Sequence, residues 1–260
     1  PVWAAGDRYE SYVGRWSRLV AARFLSWIGF ADRRKWVDVG CGTGALLQTI
    51  LAARDPTLVA GVDRSENFLR HAGQGPRGEQ ALLAVSDGQS LPFASAVFDA
   101  AVSGLVLNFV PHPEKMVSEM SRVTQAGGTC AVYVWDYAGK MELMRYFWDS
   151  ASDLDREAGK LDEGPLFPIC QPGPLKELFV GCGLVDVEVQ ALDVPTVFKN
   201  FDDYWSPFLG GQGPAPAYAM SLRAEKRIAL RETLRKRLPI EEDGSIRLVA
   251  RAWAVKGRRA

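Results

Sequence analysis

The chain has 260 residues, 47% of them apolar, and its 31 Lys and Arg are balanced by 31 Asp and Glu. That length can bury a full α/β core with a modest cap. The even charge gives no electrostatic reason to expect a nucleic-acid or membrane partner.

No apolar run approaches the ~20 residues that span a bilayer, and no signal-peptide pattern opens the chain. Cys41, Cys130, Cys170 and Cys182, with only His71 and His112 beside them, match no zinc spacing. A reduced, cytoplasmic protein without a metal is expected.

In chain order, Trp16, Leu19, Val20, Phe24, Trp27 and Ile28 recur at helical spacing and predict a first helix, packed by that face from Leu19 onwards. The stretch Trp36-Val-Asp-Val-Gly-Cys-Gly-Thr-Gly-Ala45 reads as a short strand with an acid near its end, followed by a glycine turn. Ala45, Leu46, Leu47, Ile50 and Leu51 then carry a helix. Leu58 to Asp63 is a second strand ending in an acid, and Ser65 is the expected N-cap of a helix from Glu66. Ala81 to Ser86 is a third apolar run, followed at once by Asp87, and Val97 to Ser103 is a fourth strand.

Pro113 to Thr124 predicts a helix, with Met116, Val117, Met120 and Val123 on one face. A Gly127-Gly128 turn leads into a fifth strand, Thr129 to Trp135, which delivers Asp136 and Tyr137 at its end. Met141, Met144, Arg145, Phe147 and Trp148 suggest a further helix, then a loop to about Pro174 and a short helix from Leu175 to Val180, stopped by Gly181-Cys-Gly183. Leu184 to Leu192 alternates as a sixth strand. Asn200 to Glu242 is an aromatic-rich insertion holding Phe201, Tyr204, Trp205 and Phe208, with a charged helix from about Tyr218 to Arg237, and Ser245 to Val255 is a last strand.

Chemistry concentrates in the glycine turn, because glycine lacks the Cβ that would hold a ligand off the backbone. Gly40, Gly42 and Ala45 satisfy the dinucleotide fingerprint, with Asp63 at a suitable ribose-binding distance in sequence. Gly40, Gly42 and Gly44 equally make G-x-G-x-G behind Asp38. Three successive strands that deliver acids at their C-terminal ends, where open α/β sheets bind ligands, favour an adenosyl group that uses all of them.

Five motifs in order, VDVGCGTG (37–44), GVDRS (61–65), SDGQSLPF (86–93), VFDAAVSGLVLNF (97–109) and EMSRVTQAGG (119–128), resemble those of class I S-adenosylmethionine-dependent methyltransferases of the small-molecule type 11 group. The likeness covers Lys35 to Asp136. It implies a Rossmann-like α/β sheet of seven strands in the order 3-2-1-4-5-7-6, the last antiparallel. It further implies one methyltransferase domain over 1–260, divided into a lid and helix (1–30), a cofactor-binding core (35–136) and helical cap insertions (138–180 and 200–242).

By that resemblance Gly40, Cys41, Gly42 and Gly44 form the turn that cradles S-adenosyl-L-methionine. Asp38 orients the turn or meets the ammonium group, and Asp63 holds the ribose hydroxyls. Asp87 and Gly88 meet the adenine, Arg64 flanks its face, and Ser103 faces the cofactor through its backbone. Tyr12 and Arg15 belong to a lid, with Arg15 pairing the cofactor carboxylate. Trp16, Trp148 and Trp205 are candidate walls of a pocket for a small apolar or aromatic acceptor. Asp136, oriented by Tyr137, is the best-placed carboxylate should the acceptor have to lose a proton. An NAD-dependent oxidoreductase and a non-catalytic S-adenosylmethionine-binding protein remain as alternatives at this stage.

Overall fold

The computed structural model describes residues 14–29, 32–210 and 213–260. Tyr12, and with it residues 1–13 of the expected lid, lies outside them.

Seven strands form one mixed sheet: β1 (Lys35–Val39), β2 (Leu58–Asp63), β3 (Ala81–Val85), β4 (Phe98–Gly104), β5 (Thr124–Trp135), β6 (Leu184–Phe198) and β7 (Ile246–Arg259). Their spatial order is β3-β2-β1-β4-β5-β7-β6, the order implied by the resemblance. The pairs β1–β2, β2–β3, β1–β4 and β4–β5 are parallel. Helices α1 (Arg15–Ile28), α2 (Ala45–Ala53), α3 (Glu66–Gly73), α4 (Pro113–Val123), α5 (Glu142–Leu154), α6 (Glu163–Leu166), α7 (Pro172–Gly181), α8 (Phe201–Trp205), α9 (Pro214–Ser221) and α10 (Ala224–Arg237) complete the elements used below.

The chain divides into two compact units. The larger holds Ser17–Val134, Ile169–Leu192 and Ala252–Ala260. Its central strands are apolar on both faces, as parallel strands covered by helices must be: Trp36, Val37, Val39, Val59, Val62, Ala100, Ala101 and Val102 are buried. Helix α2 follows Gly44 directly and buries Leu46, Leu47, Ile50 and Leu51. Helix α3 is capped as expected, with the Ser65 hydroxyl accepting the Phe68 N–H at 3.3 Å. It also carries Glu66 in its first turn and Arg70 and His71 in its last, complementing the helix dipole. Pro113 opens α4, where its missing N–H is not needed.

The second unit holds Pro1–Trp16, Trp135–Pro168 and Asp193–Arg251. Aromatic side chains from α5 and the segment after β6 form its interior. Phe147 stacks on Phe208 with ring centroids 4.4 Å apart, and Trp148 meets Phe147 edge-on at 5.1 Å. The Tyr204 hydroxyl, fully buried, donates to the Leu143 carbonyl at 3.0 Å.

Several boundaries depart from the sequence expectation. The Gly127-Gly128 turn lies inside β5, which begins at Thr124: the chain leaves register after Thr124, opposite Phe98, and resumes it at Thr129, opposite Ala100, with Gly127 at φ 73° between them. The single helix expected from Tyr218 to Arg237 is two helices, α9 and α10, separated where Leu222 and Arg223 adopt extended backbone. Strand β6 continues past Leu192 to Phe198, keeping Leu192, Val194, Thr196 and Phe198 on its buried face. The loop expected before Pro174 contains α6 and the start of α7. Val20, Phe24 and Ile28 of the expected α1 face are buried, together with Ala21 and Leu25, but Leu19 is exposed.

Candidate cofactor site

The parallel register aligns the C-terminal ends of β1, β2 and β3. Asp38 pairs across to Gly61, and Asp63 to Val85. Asp38, Asp63 and Asp87 therefore follow one another along a single rim. Strand β1 has β2 on one side and β4 on the other, so the chain order reverses there, which is where open α/β sheets bind ligands.

A cavity of about 240 Å³ opens at this rim, lined among others by Gly40, Asp63, Arg64, Asp87, Gly88 and Met116. Val39, Val106, Phe109 and Val110 give it an apolar wall. Sequence reasoning had not assigned Val106, Phe109, Val110 or Met116; their only signal was adjacency to the fourth strand and the following helix. Gln89 had also been overlooked. Its backbone N–H donates to Asp87 Oδ1 at 2.9 Å and its side-chain amide at 3.1 Å, which holds the Asp87 carboxyl below the usual range. Arg64 Nε lies 3.9 Å from Asp87 and is largely exposed, a weaker contribution in the same direction.

The glycine turn and the second strand lock together. Gly40 and Cys41 both donate their N–H to the Val62 carbonyl, at 2.7 and 2.9 Å. Gly42 donates to Asp63 Oδ2 at 3.0 Å, and Ser65 donates to Asp63 Oδ1 at 2.8 Å. Each Asp63 oxygen thus accepts one backbone N–H and retains a further lone pair. Gly40, Gly42 and Gly44 all have positive φ, at 73°, 53° and 94°. At Gly40 a Cβ would fall 2.7 Å from Val106 Cγ1, so that position requires glycine on two counts.

Asp38 is 1% exposed, and among the described residues only a loose contact from the Leu47 amide reaches its carboxyl. Burial pushes its carboxyl up to about 8; the nearby Asp63 carboxylate adds to the rise and the Leu47 amide of α2 opposes it. Burial likewise drives the Cys41 thiol well above its usual range, reinforced by Asp38 and Asp63. A buried carboxyl beside a second carboxylate matches a ligand that brings positive charge. The cradle at Gly40, the acceptor capacity of Asp63 and Asp87, and the apolar wall fit an adenosyl group with a cationic amino-acid tail. Ser103 is fully buried near the end of β4, and its hydroxyl has no hydrogen-bond partner among the described residues.

The other expected site residues belong to the second unit. Arg15 pairs with Asp203 at 3.0 Å, and its guanidinium stacks over Trp16 and Phe198. Asp136, expected to act as a base, has both carboxylate oxygens engaged by its own loop: Oδ1 accepts the Gly139 N–H at 3.0 Å and Oδ2 the Lys140 N–H at 2.9 Å. The Tyr137 ring packs on Phe167, and its carbonyl accepts from Arg145. Trp148 and Trp205, expected as pocket walls, are buried in the aromatic interior instead. Trp148 Nε1 donates to Glu163, whose carboxyl burial raises to about 7.

The fold and this rim define a protein built to hold a nucleoside-bearing cofactor at the ends of parallel strands. A methyltransferase-domain family model matches residues 37–132. The demethylmenaquinone methyltransferase of Desulfitobacterium hafniense is 30% identical over 186 residues, 60% of this chain and 68% of that protein. A chloroplastic methyltransferase of Arabidopsis thaliana, itself uncharacterised, is 29% identical over 160 residues, 58% of this chain; the chain spans 42% of its length. The solved phosphoethanolamine N-methyltransferase 2 of Haemonchus contortus, bound to S-adenosylhomocysteine, superposes with a TM-score of 0.61 at 15% identity, over 98% of this chain and 57% of that one. The chain belongs to the class I S-adenosylmethionine-dependent methyltransferases, and S-adenosylmethionine is its cofactor. This family assignment decides between the two readings of the glycine turn: the dinucleotide alternative is not favoured.

Among the described residues no helix is long and apolar enough to cross a membrane.

Proposed function

We propose that the protein transfers the methyl group of S-adenosylmethionine to a small apolar or aromatic acceptor. The observation that carries this reading is the rim of Asp38, Asp63 and Asp87 at the strand ends, where Asp63 and Asp87 line a cavity together with the left-handed Gly40. Bound there, the cofactor supplies a methyl group already activated by its sulfonium.

The chain's residues then have positioning work to do. Asp63 accepts the two ribose hydroxyls with the lone pairs that its backbone contacts leave free. Asp87, held ionised by Gln89, accepts the adenine amino group, and the Gly88 N–H meets a ring nitrogen. Val106, Phe109, Val110 and Met116 cover the base with apolar surface and keep water from it. Asp38 faces the ammonium group through the turn formed by Gly40, Cys41, Gly42 and Gly44. Holding the methyl group and the acceptor atom in line supplies the main rate enhancement in such a displacement. A general base is not required for a nucleophile that has no proton to lose.

An apolar or aromatic acceptor is supported by the demethylmenaquinone methyltransferase relative, whose named substrate is a quinone. A reducing, cytoplasmic setting is supported by four free cysteines. A screen of small hydrophobic and aromatic acceptors with methyl-labelled cofactor tests the reading. Transfer to members of that panel is expected, and tight cofactor binding with no transfer to any acceptor would support a binding protein instead.

A further inference from the structure

Two of the motifs that carry the family likeness, SDGQSLPF (86–93) and EMSRVTQAGG (119–128), meet through a charged pair that lies outside the cofactor rim. Glu119 and Arg122 sit one turn apart on α4 and pair bidentately, Arg122 Nε with Glu119 Oε1 at 2.6 Å and Nη2 with Oε2 at 2.8 Å. Each also reaches the backbone of the earlier motif. Leu91 donates its N–H to Glu119 Oε2 at 2.7 Å, and its carbonyl accepts from Arg122 Nη2 at 3.1 Å. The Phe93 carbonyl accepts from Arg122 Nη1 at 2.8 Å. Both polar backbone groups of Leu91 are thus held by the ion pair, while its side chain is buried and the Phe93 ring packs edge-on against Phe98.

The segment fixed in this way leads into the cavity. Ser90 donates its N–H to the Asp87 carbonyl at 2.9 Å, and its own carbonyl accepts the Ser86 hydroxyl at 2.9 Å. Gln89 holds the Asp87 carboxylate through backbone and side chain. Asp87, Gly88 and Gln89, which line the cavity, therefore sit in a tight loop with one end at β3 and the other on the Glu119–Arg122 pair. A Cβ at Gly88 would fall 3.0 Å from Val39 and 3.5 Å from Met116, so the loop is also close-packed on the sheet and on α4. Both charged side chains are partly exposed, and an ion pair of that kind adds little stability by itself. What its backbone contacts do is fix where the loop stands.

We propose that Glu119 and Arg122 are positioning residues that set the base specificity of the cofactor site, by fixing the loop that presents the Asp87 carboxylate and the Gly88 N–H to a 6-amino purine. The proposal rests on the methyltransferase reading and deepens it. Adenine offers an amino donor and a bare ring nitrogen. Hypoxanthine reverses both, offering a carbonyl and a ring N–H. An acceptor and a donor held in place reject the second base, because its groups are left unpaired, whereas a loop free to shift relaxes that penalty.

The test uses the full chain and calorimetry with S-adenosylhomocysteine and S-inosylhomocysteine, which differ only at that edge of the base. The wild type is expected to prefer the adenosyl compound about a hundredfold, about tenfold for each mismatched contact. Glu119→Ala and Arg122→Ala are each expected to cut that preference at least about tenfold and to speed amide exchange at Leu91. Both leave the buried face of α4, Met116, Val117, Met120 and Val123, untouched. Glu119→Gln keeps an acceptor for the Leu91 N–H and is expected to restore most of the preference. Equal affinity of the wild type for the two compounds overturns the proposal. So do alanine variants that fold and weaken both compounds by the same factor, because the pair is then a structural brace alone. Failure of the cofactor reading itself shows separately, as no binding of S-adenosylhomocysteine by the wild type.

Discussion

Gly42 donates its backbone N–H to Asp63 Oδ2 across 3.0 Å, so the turn after β1 and the acid at the end of β2 are one hydrogen-bonded unit. The second Asp63 oxygen holds the Ser65 N–H, which ties the start of α3 to the same carboxylate. One side chain thus shapes the cradle and presents acceptors to the cavity.

Removing that side chain is expected to act twice. Asp63→Ala leaves two backbone donors without an acceptor and should lower stability by about 1–3 kcal/mol. It should also weaken S-adenosylhomocysteine binding more than about tenfold, since hydrogen bonds to a charged group are lost with it. Thermal melts and calorimetry on the same sample read the two effects. Unchanged affinity in a folded variant would remove Asp63 from the ribose contact.

The glycines of the turn should not be equivalent. Gly40 and Gly42 both have positive φ, but a Cβ at Gly40 meets Val106 at 2.7 Å whereas one at Gly42 meets nothing within 4 Å. Gly42→Ala is expected to cost about 1–2 kcal/mol, the conformational penalty alone. Gly40→Ala should cost more, because Val106 must also move, and it should disturb the cavity wall. Equal melting temperatures for the two variants would contradict this account of the turn.

Asp38 makes the unliganded protein sensitive to alkali. Its folded-state carboxyl, at about 8, lies above the ordinary value of 3.8, so the folded chain keeps a proton that the unfolded chain gives up. The associated stability is fully present below about 4 and is lost as pH rises towards 8. Glu163, raised to about 7 by burial, acts with the same sign over a narrower window. Asp38→Asn, which mimics the neutral acid, is expected to melt at a higher temperature than wild type at pH 8 and at a similar one at pH 4. A difference that shrinks as pH rises would overturn the assignment.

Asp136 should behave as a loop clasp. Its oxygens hold the Gly139 and Lys140 amides, and the residue is buried. Asp136→Ala is expected to lower the melting temperature and to speed amide exchange at Gly139 and Lys140, without removing an ionisation from the pH profile of methyl transfer. Loss of one limb of that profile in a stable variant would restore the general base.

The part of the fold that can be read in the sequence is the part governed by local rules. Apolar strand runs, a serine cap at Ser65, a proline at the first turn of α4 and a glycine-rich turn each declare themselves over a few residues. The strand order came with the five-motif resemblance, since no local pattern encodes it. What stayed hidden depends on contacts distant in sequence. Gly127 and Gly128 look like a turn between elements, yet they fall in an irregular stretch inside β5, between Thr124 opposite Phe98 and Thr129 opposite Ala100. Trp148 and Trp205 look like pocket walls, yet other aromatics of the same unit bury them. Asp136 sits where a base is wanted, and only the course of its own loop reveals its partners. Asp38 was legible as an acid in the right place, but its full burial emerges only in the folded chain.

Titration calorimetry of the purified protein with S-adenosylhomocysteine, repeated on Asp63→Ala and Asp87→Ala, addresses the rim most directly. The account predicts saturable one-to-one binding by the wild type and a marked loss in each variant. An absence of heat with the wild type, or variants that bind as well as it does, would contradict the placement of the cofactor across the ends of β1, β2 and β3.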